Sequence, residues 1–144
     1  MYTALPVWWY TMCGRYALSS SPQRIAEVFD AQLTPGLLDL EPRCNIAPTS
    51  AAPVVRAADV GRVIELMHWG LIPHWAREPT MRYPTLNARS EQATTRASYR
   101  GPMRYRRCLV PVDGFYEWQK RSRGPKQPYL IRRTDAQPFA LAGL

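Results

Sequence analysis

A cysteine follows a methionine in Met12-Cys13-Gly14-Arg15-Tyr16. If translation starts at Met12 and that residue is removed, Cys13 becomes a chain terminus with a thiol and an α-amine on adjacent carbons. The amine then titrates near ~7.7–8.0 and the thiol near ~8.5, against ~10.4 for a lysine. Both groups are therefore partly in their reactive forms at neutral pH. Such a 1,2-aminothiol condenses with an aldehyde and closes to a thiazolidine ring, which an internal cysteine cannot do. Taken alone, a cysteine reads first as a small buried hydrophobe. The reactive reading depends on what the rest of the chain supplies.

The other residues of similar chemistry are few. Cys44 and Cys108 are too scattered to form a disulfide framework with Cys13, and His68 and His74 add no paired metal-ligand spacing. No metal or cofactor is expected, and a reducing cytosol is the expected compartment. His68, His74, Cys44 and Cys108 read as packing or surface residues.

The 144 residues suffice for one domain with its own core. No apolar run approaches the ~20 residues of a membrane span. The net charge is +8 and is unevenly placed: from Arg96 to Arg133 there are eleven basic residues against two acids, Asp113 and Glu117. That imbalance favours a polyanionic partner, and nucleic acid ahead of membrane because no basic amphipathic helix accompanies it.

The elements that must hold these groups are mostly short strands. Arg15 to Leu18 alternates like a strand. Ser19-Ser20-Ser21-Pro22 announces a helix with an apolar stripe of Ile25, Val28 and Phe29, closed by Pro35-Gly36. Glu41 to Ser50 reads as an ordered loop. Pro53–Arg56 and Arg62–Trp69 read as strands turning at Asp59-Val60-Gly61. Trp69-Gly70-Leu71-Ile72-Pro73-His74-Trp75 has no period, and its tryptophans suit either a core or a platform for base stacking. Ser90 is expected to cap a short helix to about Tyr99. Cys108–Trp118 reads as sheet, Gln119–Pro128 as a basic turn and Tyr129–Arg133 as a returning strand. Phe139–Leu144 reads as a buried strand. The class expected is β-rich α+β.

Five stretches stand out: CGRY at 13–16, NIAPT at 45–49, WGLIPHW at 69–75, NARSE at 87–91 and RRCLVPVDGFYEW at 106–118. In this order and spacing, from Met12 to Leu144, they resemble the SOS response-associated peptidase (SRAP) family, the abasic-site processing proteins. The resemblance implies a single α+β domain with a curved sheet core, a few short helices and a basic cleft for single-stranded DNA. It implies a monomer without membrane association that joins its N-terminal cysteine to the aldehyde of an abasic site. An autoproteolytic activity that exposes the cysteine is also ascribed to the family. By this likeness Cys13 is the crosslinking residue, Asn87 positions the reacting end, and Glu117 is the acidic catalytic residue. Arg15 and Arg89 match arginines that hold phosphates, while Asn45, Pro48 and Trp69 belong to loops lining the DNA cleft. A DNA-bound, nucleoid-associated place in the cytoplasm follows from the same likeness.

The chemistry suits these residue types. A neutral amine attacks the opened sugar's aldehyde, water leaves to give an imine, and the thiol closes on the imine carbon. Water departure needs a proton donor and thiol closure an acceptor, so a single cycling carboxyl, Glu117, serves both steps. An asparagine both donates and accepts hydrogen bonds, as orienting an amine and a hydroxyl requires. Arginines present a planar fork to phosphate.

Eleven residues precede Met12, so as written Cys13 is internal; residues 1–11 are expected to be an extension outside the mature protein. The family's later His-Asp-Arg-like motif has no counterpart here, so residues 12–144 are expected to form the N-terminal portion of the domain, incomplete at its C-terminus. Two further readings stay open: a cysteine peptidase or N-terminal-nucleophile hydrolase, and a non-catalytic single-stranded nucleic-acid-binding module.

Overall fold

The computed structural model describes residues 14–78 and 85–144. Its elements are β1 (Tyr16–Leu18), α1 (Pro22–Phe29), β2 (Gln32–Leu33), β3 (Arg43–Ile46), β4 (Ala51–Ala58) and β5 (Gly61–His68). These are followed by α2 (Ser90–Ala93), α3 (Ala97–Tyr105), β6 (Cys108–Val112), β7 (Gly114–Gln119), β8 (Gln127–Ile131) and β9 (Phe139–Gly143). The strands form two sheets, β3-β1-β7-β8 and β2-β5-β4-β6-β9. With three short helices among the described residues, this is the β-rich α+β class expected from the sequence. No helix is long and apolar enough to cross a membrane among the described residues.

Local chemistry sets the first helix. Ser21 is extended and its hydroxyl accepts the Arg24 N–H at 3.2 Å. Pro22 occupies the first turn, where its missing N–H has no helical partner to lose. The helix buries Pro22 and Ile25 and stops at Asp30, whose left-handed backbone turns its N–H to the Ala26 and Glu27 carbonyls. β4 and β5 pair as a hairpin from Ala51↔His68 to Ala58↔Gly61, with Gly61 supplying the positive φ of 107°. β4 is buried at every residue from Ala52 to Val55, as its place between β5 and β6 requires.

One core joins both sheets. Tyr16, Leu18 and Ile46 from the first pack with Ala52, Val55, Ile64 and Val112 from the second, and Ile25 and Leu37 close the cluster. β6 and β7 are consecutive yet lie in different sheets, and Asp113 stands at the corner between them. Its carboxylate accepts the Ser19 and Ser20 N–H groups at 2.5 and 2.7 Å and their hydroxyls at 3.1 and 2.6 Å. Burial alone would raise its pKa, but these donors outweigh it and hold the carboxyl below its ordinary value. The next residue must be glycine: a Cβ on Gly114 would stand 2.8 Å from the Ile131 carbonyl oxygen.

Three expectations need correction. The loop expected over 41–50 contains β3, because Arg43 and Ile46 pair with Leu18 and Tyr16 across an irregular register. The single helix expected from Ser90 to Tyr99 is two helices. Arg89, not Ser90, is the N-cap of α2, it caps without a side-chain bond, and the chain breaks at Thr94-Thr95 before α3. Both threonines are β-branched and weak helix formers. The strand expected to be buried at the C-terminal end, β9, is only half-buried, and Ala142 is exposed, since among the described residues β9 pairs with β6 alone.

Candidate nucleic-acid interface and reaction site

Residues 1–11 and Cys13 lie outside the described residues. The residues that follow Cys13 enter β1, the strand flanked by β3 and β7. Tyr16 pairs with Ile46 on one side and Phe115 on the other. The Tyr116 N–H donates to the Arg15 carbonyl at 2.9 Å, so the pairing continues past the strand end. Carried one step further, the same register sets Gly14 opposite Glu117.

The first sheet thereby gathers three of the sequence-predicted residues. The exposed Arg15 donates from Nη1 to Asn45 Oδ1 at 3.1 Å. Glu117 lies on β7, half-buried and paired in register with Tyr129. Its carboxylate makes no ion pair or side-chain hydrogen bond among the described residues. The Tyr116 hydroxyl spans β1 to reach the Cys44 carbonyl at 2.8 Å, tying β7 to β3.

A second group surrounds Trp69. The backbone of Trp69 accepts the Thr49 N–H at 2.9 Å and donates to the Ser50 carbonyl at 3.0 Å, so the loop carrying Pro48 is fastened to it. Thr49 holds a positive φ of 68°, costly for a β-branched residue, within this same loop. The Trp69 indole N–H donates to the Leu86 carbonyl at 3.3 Å. Its ring lies 5.3 Å from that of Tyr16, tilted by 54°. Asn87 follows Leu86, is exposed, and its carbonyl accepts the Tyr99 hydroxyl at 3.2 Å. Arg89, exposed at the start of α2, has no ion pair among the described residues.

Tyr16 joins the two groups, being chain neighbour to Arg15 and ring neighbour to Trp69. It is 3% exposed, and its hydroxyl is buried without a hydrogen-bond partner among the described residues. Burial pushes its pKa up to about 12, partly opposed by the Arg43 charge. Trp69, Asn87 and Tyr16 line a cavity of about 1140 Å³ closed on one side by α2 and α3. Arg15, Asn45, Pro48, Arg89 and Glu117 stand outside it. The two tryptophans whose role was open divide: Trp69 packs half-buried on the core, while Trp75 is 50% exposed with an edge contact to His74.

The sequence reading missed the three tyrosines that do the joining, Tyr16, Tyr99 and Tyr116. A hydroxyl bound to a distant carbonyl has no local signature. Thr49 was findable as the turn residue after Pro48. Burial raises the Cys108 thiol pKa, in keeping with a packing role, whereas Cys44 is exposed. Among the described residues no group of three His, Cys, Asp or Glu side chains is placed to hold a metal.

Comparison with known proteins bears on this geometry. Residues 12–144 match the family described as SOS response associated peptidase (SRAP). The abasic site processing protein YoaM of Bacillus subtilis (strain 168) is 33% identical over 133 residues, covering 92% of this chain and 59% of YoaM. The abasic site processing protein HMCES of Gallus gallus is 36% identical over 141 residues, covering 83% of this chain and 42% of HMCES. A crystal structure of a Bordetella bronchiseptica protein superposes with a TM-score of 0.74 at 28% identity, over 90% of this chain and 62% of that one. The chain thus spans about three-fifths of the length of YoaM.

Proposed function

The chain belongs to the SOS response-associated peptidase family, and from that premise we propose that it processes abasic sites in single-stranded DNA through Cys13. In this reading the reactive form begins at Cys13. The α-amine attacks the aldehyde carbon of the opened deoxyribose, and the hydroxyl so formed leaves as water. Glu117 gives the proton for that departure and takes one back from the thiol as sulfur closes on the same carbon. The products are a thiazolidine and one water, with no change of oxidation state. Arg15 holds a flanking phosphate, its fork aimed by Asn45, and Arg89 holds another. Asn87 orients the amine and a sugar oxygen. Self-cleavage before Cys13 is one route to the free amine.

The observation that carries this reading is the Arg15–Asn45 hydrogen bond beside the segment just after Cys13, with Glu117 on the adjoining strand one register step beyond the Arg15–Tyr116 pairing. The test is to incubate a chain that starts at Cys13 with abasic single-stranded DNA. A denaturant-resistant adduct is expected, absent for Cys13→Ala and for undamaged DNA. A folded chain that gives no adduct refutes the proposal.

A further inference from the structure

Helix α3 carries charges that its own folding does not favour. Arg96 is its N-cap, and Arg100 and Arg104 follow at successive four-residue steps. All three are exposed, with the Arg96 guanidinium carbon 5.8 Å from the ring centroid of Tyr99, which the helix buries together with Pro102. Four-residue steps place the three residues on one face, about 6 Å apart along the axis. Like charges at this spacing repel one another. Arg96 also stands at the positive end of the helix dipole, where an acid is favoured, and the first turn holds none. Arg104, in the last turn, is the only one of the three that the dipole rewards. None of the three has an acidic partner among the described residues. Arg106 and Arg107 extend the run beyond the helix end.

An aromatic accompanies the stripe. Tyr105 is 74% exposed, and the Arg104 guanidinium carbon lies 5.2 Å from its ring centroid. An exposed phenol ring at the end of a row of arginines combines phosphate attraction with a face on which a base can stack. Arg100, Tyr105, Arg106 and Arg107 also line the cavity that holds Trp69 and Asn87, so the stripe runs out from the candidate site.

We propose that this face of α3, with Tyr105, is a second nucleic-acid contact that binds the single strand beyond the damaged nucleotide. The proposal deepens the abasic-site reading and rests on it. A locally unfavourable charge row becomes favourable once phosphates neutralise it, which accounts for exposed arginines that have no acidic partner among the described residues.

The experiment titrates the 144-residue chain, the triple variant Arg96→Gln/Arg100→Gln/Arg104→Gln, and Tyr105→Ala with single-stranded oligonucleotides bearing one abasic site. One oligonucleotide has short arms, and two others lengthen the 5′ or the 3′ arm by about eight nucleotides. In the wild type, one of the two extensions is expected to raise affinity about tenfold. The triple variant loses that gain, and its salt slope on the long oligonucleotide is shallower by about two. Tyr105→Ala keeps the salt slope and loses part of the gain. Thermal midpoints of the variants stay level or rise, since repelling charges are removed. Equal length gains in wild type and triple variant, or none in the wild type, overturn the proposal. Tighter binding to phosphatidylglycerol vesicles than to the long oligonucleotide, lost in the triple variant, overturns it in favour of a membrane surface. A length gain without preference for abasic over intact DNA counts instead against the abasic-site reading alone.

Discussion

The Arg15 guanidinium donates to the Asn45 side-chain oxygen at 3.1 Å, joining residues thirty positions apart in the chain. Both are exposed, so the bond does little for stability and fixes instead where the guanidinium points. Arg15→Ala is expected to weaken binding to abasic single-stranded DNA about tenfold, and Asn45→Ala several-fold. The double variant should be little worse than Arg15→Ala, a coupling of about 0.5–1.5 kcal/mol in a double-mutant cycle. Strict additivity would show that Asn45 does not aim Arg15.

Glu117→Gln preserves shape and removes the proton acceptor. Adduct formation by a chain beginning at Cys13 should slow by about 10²–10⁴, with affinity for abasic DNA and thermal midpoint nearly unchanged. A wild-type rate in single-turnover crosslinking would remove Glu117 from the chemistry.

Asp113 is a matter of stability rather than reaction. Asp113→Ala leaves the Ser19 and Ser20 donors without their acceptor and is expected to destabilise the fold by about 2–3 kcal/mol in urea unfolding. The pH dependence has a definite sign. Because the folded pKa is below the ordinary value, the contribution is fully present above the unfolded pKa of ~3.9 and fades as pH falls toward the folded one. Below that range the stability gap between the variant and the wild type should be narrower than at neutral pH.

Tyr16→Phe keeps the ring against Trp69 and removes a buried hydroxyl that has no partner among the described residues. The variant should be more stable by about 1 kcal/mol at neutral pH, since an unmet hydroxyl carries a desolvation cost. The folded phenol pKa is raised to about 12, above the ordinary 10.0. Wild-type stability therefore falls, relative to the variant, as pH rises from 10 toward 12. Thermal unfolding at neutral and at alkaline pH checks both statements.

Much of the fold could be read from local signals. α1 follows from Ser21-Pro22 and its apolar stripe, and the β4–β5 hairpin from two alternating runs around Gly61. β3 could not be read this way. Its four residues, Arg43 to Ile46, lie between prolines with little alternation, and they are a strand only because β1 offers a partner thirty residues away. The helix break at Thr94-Thr95 was hidden because Ser90 and Tyr99 frame a plausible single helix. For the site, the resemblance of the motifs nominated Arg15, Asn45, Trp69, Asn87 and Glu117. How they are held was not visible, because Tyr16, Tyr99 and Tyr116 act through ring contact or backbone carbonyls at long sequence separation.

The strand order β3-β1-β7-β8 has a mechanical consequence. A load applied to the chain just before Gly14 enters β1, which is bonded along both edges to neighbours of opposite direction. Such a strand cannot be peeled away one bond at a time. It has to be sheared from two partners at once, with Tyr116–Cys44 as a cross-brace. In the proposed reading, a DNA strand tethered at Cys13 would thus pull against the interior of a sheet rather than its edge.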